Sequence, residues 1–526
     1  MKFRKKEILI LIIILIIQTI LYIFVGTNKS YLHIDEAYSY GLSNYNRIEI
    51  QDNDDFFNAW HSKDYYEDYL SVQDDEVGDF SPVYENQKND VHPPFYYLLL
   101  RFFMNFSIGH FSKWSGIVLN IVIYAFITIF MYLILRYLFK GEKRSIEKSS
   151  ILAFMSSIIL ASLSNVIYIR MYSLLTLEIL ITTFLHIKLL ESENLNYKLL
   201  IGIGVSVLAG ILTHYYYLFY LFILYLIFMI KYIKEKNFKL LTFYTLTMLI
   251  SGILSLIIFP YSIQHMFFGY RGQGVISSLK NIGEIIPNLF SQIYNLNYYA
   301  FNGLLFIILV IIIGILIYNK IRKNNRFEIN QEKKNIIKII ALPSIFFFII
   351  ASIASPWQVL RYIVPICGLL FILIIYLLYK LLKSICSENL TNILVLILFC
   401  LMLVTPLIFN LKPELLYTER KDIVQKLSDE LNLPAIYLYD SQNVRFLDDI
   451  LVFSKMNESY IAKDTDYTKE NLQKIFENKD ISNGIIVFTN ANQDRDFIVN
   501  TVKENLNFTV CEYLDRLTSC DVYYLH

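Results

Sequence analysis

Long apolar stretches separated by short polar connections occupy most of the first 411 residues. Runs such as Ile8–Ile17 and Leu369–Leu378 have no polar face, and most stretches are near the ~20 residues that a helix needs to span a bilayer. This pattern predicts a polytopic α-helical membrane protein with about eleven to thirteen transmembrane helices. The eleven assigned spans are residues 7–25, 114–138, 149–166, 171–190, 198–213, 215–231, 240–259, 301–318, 336–353, 359–379 and 391–410.

The pattern changes after residue 411, where short β-type runs alternate with amphipathic segments. In Glu419–Leu431, the apolar side chains of Ile423, Val424, Leu427 and Leu431 share one helical face. We therefore expect a transmembrane module over 1–411 and a small α/β domain over 412–526. The predicted strands are Ala435–Tyr439, Gly484–Thr489, Phe508–Glu512 and Val522–Leu525.

The composition supports a lipid environment for most of the chain. Of 526 residues, 55% are hydrophobic and only 18% are charged, and the mean hydropathy is +0.45. The 47 Lys and Arg residues against 46 Asp and Glu residues leave a net charge of +1. Without a basic excess, the chain is not expected to bind nucleic acid.

Basic residues fall on one side of the predicted helices if the short apolar segment Phe95–Ile108 lies along the interface as a juxtamembrane helix. The positive-inside rule then predicts a plasma-membrane protein with a cytoplasmic N-terminus and an extracytoplasmic C-terminal domain. The same topology places an acidic loop, 26–113, and a second loop, 260–300, outside. The basic connections are the N-terminal tail, 140–148, 231–239 and 319–335, with four, four, four and six Lys or Arg residues.

The five cysteines divide into two groups. Cys367, Cys386 and Cys400 lie in or beside apolar segments, where a thiol behaves as a small hydrophobic group. Cys511 and Cys520 flank a predicted turn, so a disulfide across a hairpin is left open if this region is extracytoplasmic. No Cys or Cys/His cluster indicates a structural metal site.

Ionisable residues gather at the predicted outer boundary of the membrane, where such groups are usually paired or functional. Each also has a structural explanation. The two acids could simply begin the acidic loop, the arginines that open helices could be snorkelling anchors, and the histidines could be turn or aromatic-belt residues. The residues are Asp35, Glu36, His92, Arg170, His214, Arg361 and, in a glycine-rich loop, Arg271.

These residue types suit one reaction in particular. A carboxylate at the membrane boundary can accept the proton of an acceptor hydroxyl, and arginines can bind a departing phosphate through bidentate hydrogen bonds. Fixed cations at a leaving phosphate lower the barrier where charge develops. The constellation therefore favours glycosyl transfer from a lipid phosphate.

Five motifs in this order resemble the GT-C-fold glycosyltransferases, in particular the glycosyltransferase 39, protein mannosyltransferase and aminoarabinose-transferase-like group. The resemblance covers about residues 1–370 and leaves the C-terminal domain outside. The motifs are Asp35-Glu36-Ala37, His92-Pro93-Pro94-Phe95-Tyr96-Tyr97-Leu98, Arg170-Met171-Tyr172-Ser173-Leu174, Thr213-His214-Tyr215-Tyr216 and Arg361-Tyr362-Ile363-Val364-Pro365.

The resemblance implies an inverting enzyme that transfers a sugar from a polyprenyl-phosphate donor to an extracytoplasmic acceptor. Asp35 would be the general base, and Glu36 would assist it or hold the acceptor. Metal dependence varies in this group, and the chain offers no dedicated ligand set, so a divalent cation is left open. The residues expected to bind the donor phosphate or sugar are His92, Arg170, Tyr172, His214, Arg271 and Arg361.

Two other functions stay open at this stage. A lipid-linked glycan transporter would carry ionisable groups near the middle of several spans, whereas Glu178 is the main such residue here. A glycan polymerase or ligase would share the donor chemistry but use a lipid diphosphate. The donor sugar and the acceptor are not specified by the residue pattern.

Overall fold

The computed structural model divides into two compact units. The membrane unit comprises Met1–Gly26, Gln87–Tyr96 and Ile117–Glu414, and the sheet unit comprises Thr27–Asn86, Tyr97–Gly116 and Leu415–His526. The structure describes residues 4–44, 56–192, 194–323, 327–440, 445–490 and 494–526.

Helices are the main elements of the described chain. The first twelve are α1 (Lys5–Asn28), α2 (Ile34–Leu42), α3 (Lys63–Leu70), α4 (Ser81–Lys88), α5 (Phe95–Met104), α6 (Lys113–Leu138), α7 (Ser145–Ile158), α8 (Leu160–Ile167), α9 (Tyr172–Leu190), α10 (Tyr197–Thr213), α11 (Tyr217–Lys234) and α12 (Phe238–Ile258). The remaining ten are α13 (Tyr270–Lys280), α14 (Ile282–Asn295), α15 (Leu305–Ile321), α16 (Gln331–Ala354), α17 (Val364–Ile385), α18 (Glu388–Ile408), α19 (Lys421–Gln425), α20 (Ile450–Phe453), α21 (Lys469–Phe476) and α22 (Arg495–Asn505).

The predicted polytopic helical architecture is confirmed, with fewer clear spans than expected. Among the described residues, eight helices are long and apolar enough to cross a membrane, and two bent helix pairs raise this number to ten. The pairs are α7 with α8, bent by 57°, and Gly283–Ala300 with α15, bent by 97°. The predicted span 198–213 is not among these ten; it corresponds to α10, an apolar helix of 17 residues.

The segment Phe95–Met104 forms α5, a helix of only ten residues. At 1.5 Å per residue its length is about 15 Å, roughly half the thickness of the hydrocarbon core. This length fits the juxtamembrane placement expected for the segment and excludes a membrane span.

Helix α9 lies among the most buried parts of the membrane unit, and its polar side chains bond to neighbouring helices. Thr182 and Thr183 pair with the hydroxyls of Tyr217 and Tyr220 on α11 at 2.6 and 2.7 Å. His186 lies 3.0 Å from the Tyr244 hydroxyl on α12. Because hydrocarbon offers no hydrogen bonds, such pairs satisfy polar groups and fix the helices against each other.

The sheet unit contains a six-stranded mixed sheet of order β1-β3-β2-β4-β6-β5. The central strands β3, β2 and β4 are parallel, and the outer pairings are antiparallel. The predicted C-terminal α/β region is therefore confirmed, although the predicted helix Glu419–Leu431 is broken into 3₁₀, α and π turns. The strands are β1 (Trp60–Ser62), β2 (Ala435–Tyr439), β3 (Glu458–Lys463), β4 (Ile485–Thr489), β5 (Cys511–Arg516) and β6 (Asp521–Leu525).

The first loop belongs to the same unit as the C-terminal region, so the units differ from the expected boundary at 411/412. Strand β1, from the loop, pairs with β3 and places Trp60 opposite Tyr460. The indole of Trp60 also packs edge-on against Phe476 and donates to the carbonyl of Ile475 at 3.1 Å. The loop therefore completes one edge of the sheet and part of its apolar core.

Strands β5 and β6 form the predicted C-terminal hairpin, but the disulfide left open by the sequence is absent. Cys511 lies opposite Leu525 at the end of the hairpin far from its turn, whereas Cys520 directly precedes β6 at the turn. Strands rise about 3.4 Å per residue, so this register keeps the two thiols apart. Both cysteines are free.

Candidate active site

Asp35 lies in the first turn of α2, in the sheet unit. His33 caps this helix, with its Nδ1 atom accepting from the backbone N–H of Asp35 at 3.1 Å. The Asp35 side chain is 23% exposed and its Oδ2 lies 3.7 Å from His33 Nδ1. The helix dipole stabilises a negatively charged carboxylate at a helix N-terminus. The partial exposure of Asp35 leaves its carboxylate accessible for proton transfer.

Glu36 has a different environment from Asp35. Its side chain is fully buried and its Oε2 accepts from Lys29 Nζ at 2.9 Å and from the backbone N–H of His33 at 2.7 Å. Burial lowers the pKa of Lys29, while the Glu36 charge opposes this shift. These contacts favour a positioning role for Glu36 at the start of α2.

The C-terminal end of α2 is held by Arg101, a fully buried residue of α5. Its guanidinium donates to the Ser43 carbonyl at 3.4 Å and to the side chain of Asn44. It also donates to the carbonyls of Glu76 and Asp79 at 2.9 and 3.1 Å. A cation at the end of a helix stabilises its last carbonyls, so α2 has a buried cation at each end.

A second group of predicted residues comes together in the membrane unit. His92 Nδ1 donates to the carboxylate of Asp90 at 3.0 Å, and Arg170 Nη2 lies 3.5 Å from the same ring nitrogen. Burial raises the pKa of Asp90, but the hydrogen bond from His92 and the charges of His92 and Arg170 lower it to about 2. Asp90 is therefore ionised and compensates the nearby positive charge.

His214 and Tyr172 lie beside this group. The His214 ring is 5.7 Å from the His92 ring and 5.6 Å from the Tyr172 ring, centroid to centroid. Its Nδ1 accepts from the backbone N–H of Tyr216 at 3.0 Å. Burial lowers the pKa of His214, and the charges of His92 and Arg170 act in the same direction. A neutral His214 leaves Nε2–H as a donor.

Arg361 is linked to the same surroundings through aromatic side chains. Its Nη1 donates to the Tyr168 hydroxyl at 3.1 Å, and the Tyr168 ring stacks on Tyr172 at 5.9 Å. The guanidinium also lies over the rings of Trp357 and Tyr362. We define Asp90, His92, Arg170, His214 and Arg361 as the cationic cluster.

Two residues of this site were missed by the sequence analysis. Asp90 supplies a carboxylate that bonds to His92 and whose ionised form the Arg170 charge favours. Asn120, in α6, donates to the carbonyls of Val166 and Tyr168 at 3.2 and 2.8 Å and so holds the break between α8 and α9. An amide side chain within an apolar span is unusual, so the sequence alone could have indicated Asn120.

Two expectations from the sequence remain, the role of Arg271 and the possible divalent cation. Arg271 lies in α13, and its side chain is outside the described residues. Within the described ranges, no group of three or more His, Cys, Asp or Glu side chains is arranged to hold a metal ion.

Comparisons with known proteins give structural similarity alone. No family model matches the chain, and no curated protein matches it. Two crystal structures of ArnT from Cupriavidus metallidurans, one bound to undecaprenyl phosphate and one in the apo state, align with 98% of this chain and 97% of their own, at 10% identity. Their TM-scores are 0.48 and 0.49. At these values the similarity assigns no activity.

Proposed function

We propose that this protein is an inverting membrane glycosyltransferase that uses a polyprenyl-phosphate sugar donor and an extracytoplasmic acceptor. The observation that carries the proposal is the cationic cluster, in which buried Arg170 lies beside His92 and His214 at the ends of apolar helices. A buried arginine beside a neutral imidazole donor at the ends of apolar helices suits a lipid-linked phosphate. The distribution of basic residues supports an extracytoplasmic site.

The proposed roles follow from accessibility and charge. Asp35 accepts the proton of the acceptor group, whose oxygen or nitrogen forms a bond to the anomeric carbon of the sugar. The bond between that carbon and the phosphate oxygen breaks, and the lipid phosphate leaves with the electron pair. Arg170 and Arg361 stabilise the leaving phosphate, and Glu36 holds α2 in place.

Mass spectrometry of envelope glycans tests the role of Asp35. We compare the wild type, a deletion strain, and deletion strains that express Asp35→Asn or Asp64→Asn at matched protein level. Asp35→Asn is isosteric and removes the basic oxygen, so the sugar mass lost in the deletion should also be missing here. Asp64 is an exposed acid of the same loop, and Asp64→Asn should restore the sugar.

A restored sugar in the Asp35→Asn strain would contradict the assignment of the base and favour the transporter interpretation.

Arg170 provides a separate test of the donor site. Arg170→Lys keeps the charge and loses the bidentate geometry, so we expect transfer to fall by ~10²-fold. Purified enzyme is added to an envelope extract of the deletion strain, which contains the native donor and unmodified acceptor, and the sugar transferred is measured.

A further inference from the structure

The segment before α2 runs beside the linker that leads into the C-terminal region. Lys29 Nζ donates to the Leu415 carbonyl at 2.9 Å, and the Ser30 N–H donates to the Leu416 carbonyl at 3.1 Å. The Tyr31 ring then packs edge-on against Tyr417. Leu415 and Tyr417 have φ values of +62° and +55°, a conformation that is uncommon for bulky residues and persists where surrounding contacts impose it.

Asp449 ties this segment to two distant parts of the C-terminal region. It is fully buried and its Oδ1 accepts from the Tyr31 hydroxyl at 2.8 Å. The turn of the β5–β6 hairpin supplies the other donors, namely the backbone N–H groups of Thr518 and Ser519, both at 3.1 Å, the Ser519 hydroxyl at 2.7 Å and the Cys520 thiol at 3.2 Å. Such a network over-determines the position of the Tyr31 hydroxyl.

The 3₁₀ turn Phe446–Asp449 also packs directly on α2. Asp448, in this turn, is buried and paired with Arg445 at 2.6 Å. Burial raises the pKa of Asp448 to about 6, Arg445 opposes the shift, and the charges of Asp449 and Asp35 add to it. The charges of Asp448 and Asp35 therefore act on each other across the contact between this turn and α2.

We propose that the C-terminal turn Phe446–Asp449 is a positioning element for the proposed catalytic base: Asp449 acts through Tyr31 to fix α2, and Asp448 sets the electrostatic environment of Asp35. The inference rests on the proposed function. It gives the C-terminal region a direct part in the reaction, in addition to any selection of the acceptor.

Tyr31→Phe removes one hydroxyl from this network, and Tyr66→Phe is its matched control. The Tyr66 hydroxyl is equally buried and bonds to Ser459 of β3 at 2.7 Å, not to the turn Phe446–Asp449. Full-length proteins in detergent are compared by hydrogen exchange of the α2 amides and by sugar transfer in the envelope extract of the deletion strain. We expect Tyr31→Phe to raise α2 exchange and to lower transfer by about tenfold each, with Tyr66→Phe close to wild type in both.

Asp448→Asn supplies a measurement that a purely structural role would not change. The charged and titratable groups around Asp35 and Asp448 are His33 on the side of α2 and Arg445, Asp449, Tyr437 and Cys520 on the side of the sheet. Because the pKa of Asp448 is about 6, its negative charge acts on Asp35 only above that pH. The pH profile of transfer should therefore have an inflection near pH 6 in the wild type that is lost in Asp448→Asn.

The outcomes separate this inference from the proposed function. Wild-type α2 exchange in Tyr31→Phe, or faster exchange with wild-type transfer, overturns the positioning role. A pH profile of Asp448→Asn that matches the wild type around pH 6 overturns the electrostatic role. Asp35→Asn is run in the same assay. If this variant is inactive, Asp35 remains the proposed base even where the inference fails. If it is fully active, the proposed function and the inference are both overturned.

Discussion

Asp90 shows how one carboxylate can organise a cationic site. It bonds to His92, lies close to Arg170, and has a pKa of about 2. Because this value is below the usual 3.8, the ionised form stabilises the fold above pH 3.8, and the stabilisation is lost as the pH falls toward 2. This lowering of the pKa corresponds to about 2 kcal/mol at neutral pH.

Asp90→Asn should therefore lower the free energy of unfolding by about 2 kcal/mol at pH 7, and by about half as much at pH 3. Thermal unfolding in detergent at both pH values measures the difference from wild type. Asp64→Asn, at an exposed position, is expected to change stability by less than about 0.5 kcal/mol. An equal difference for Asp90→Asn at the two pH values would show that its charge is not the cause.

Helix α2 is an element stabilised from both ends by buried cations. Lys29 bonds to Glu36 in its first turn, and Arg101 bonds to Ser43 and Asn44 after its last turn. The helix has only nine residues, so its own hydrogen bonds are too few to make it stable alone. Its stability must come from these contacts and from packing.

Arg101→Met tests this dependence. The substitution keeps a long apolar side chain and leaves several buried acceptors without their donor, so we expect a loss of about 3 kcal/mol in the stability of the sheet unit. Hydrogen exchange of the α2 amides reports the change. Arg516→Met is the control, since Arg516 is 56% exposed, and it should have little effect. Similar exchange in both variants would contradict the role of Arg101.

The same elements show what the sequence could and could not predict. Hydropathy located the apolar helices because each stretch is long enough to be recognised by itself, and β2 was predicted with its observed bounds, Ala435–Tyr439. Strand β1 was missed because its three residues lie in an acidic loop and pair with β3, almost 400 positions away. Asp90 was missed because its partners are identified only when His92 and Arg170 meet in space.

At the scale of the whole molecule, the sheet unit is built from three separate parts of the chain. Trp60, from the first loop, packs edge-on against Tyr460 and Phe476, and the Lys479 ammonium lies over its ring at 4.4 Å. Leu472 belongs to the core of the same sheet and is fully buried. Since both residues contribute to one apolar core, the first loop and the C-terminal region should unfold together.

Trp60→Ala and Leu472→Ala should consequently shift the same cooperative transition, each by about 2–4 kcal/mol. Hydrogen exchange with increasing urea, read at α2 and α3 in the first loop and at β2 and β4 in the C-terminal region, follows both parts at once. If Trp60→Ala exposes the amides of α3 and leaves those of β2 and β4 protected, the loop is a separate element. A common midpoint in both variants would instead mean that α2, which carries Asp35, is stable only when residues 415–526 are folded, so the C-terminal region would be required for catalysis.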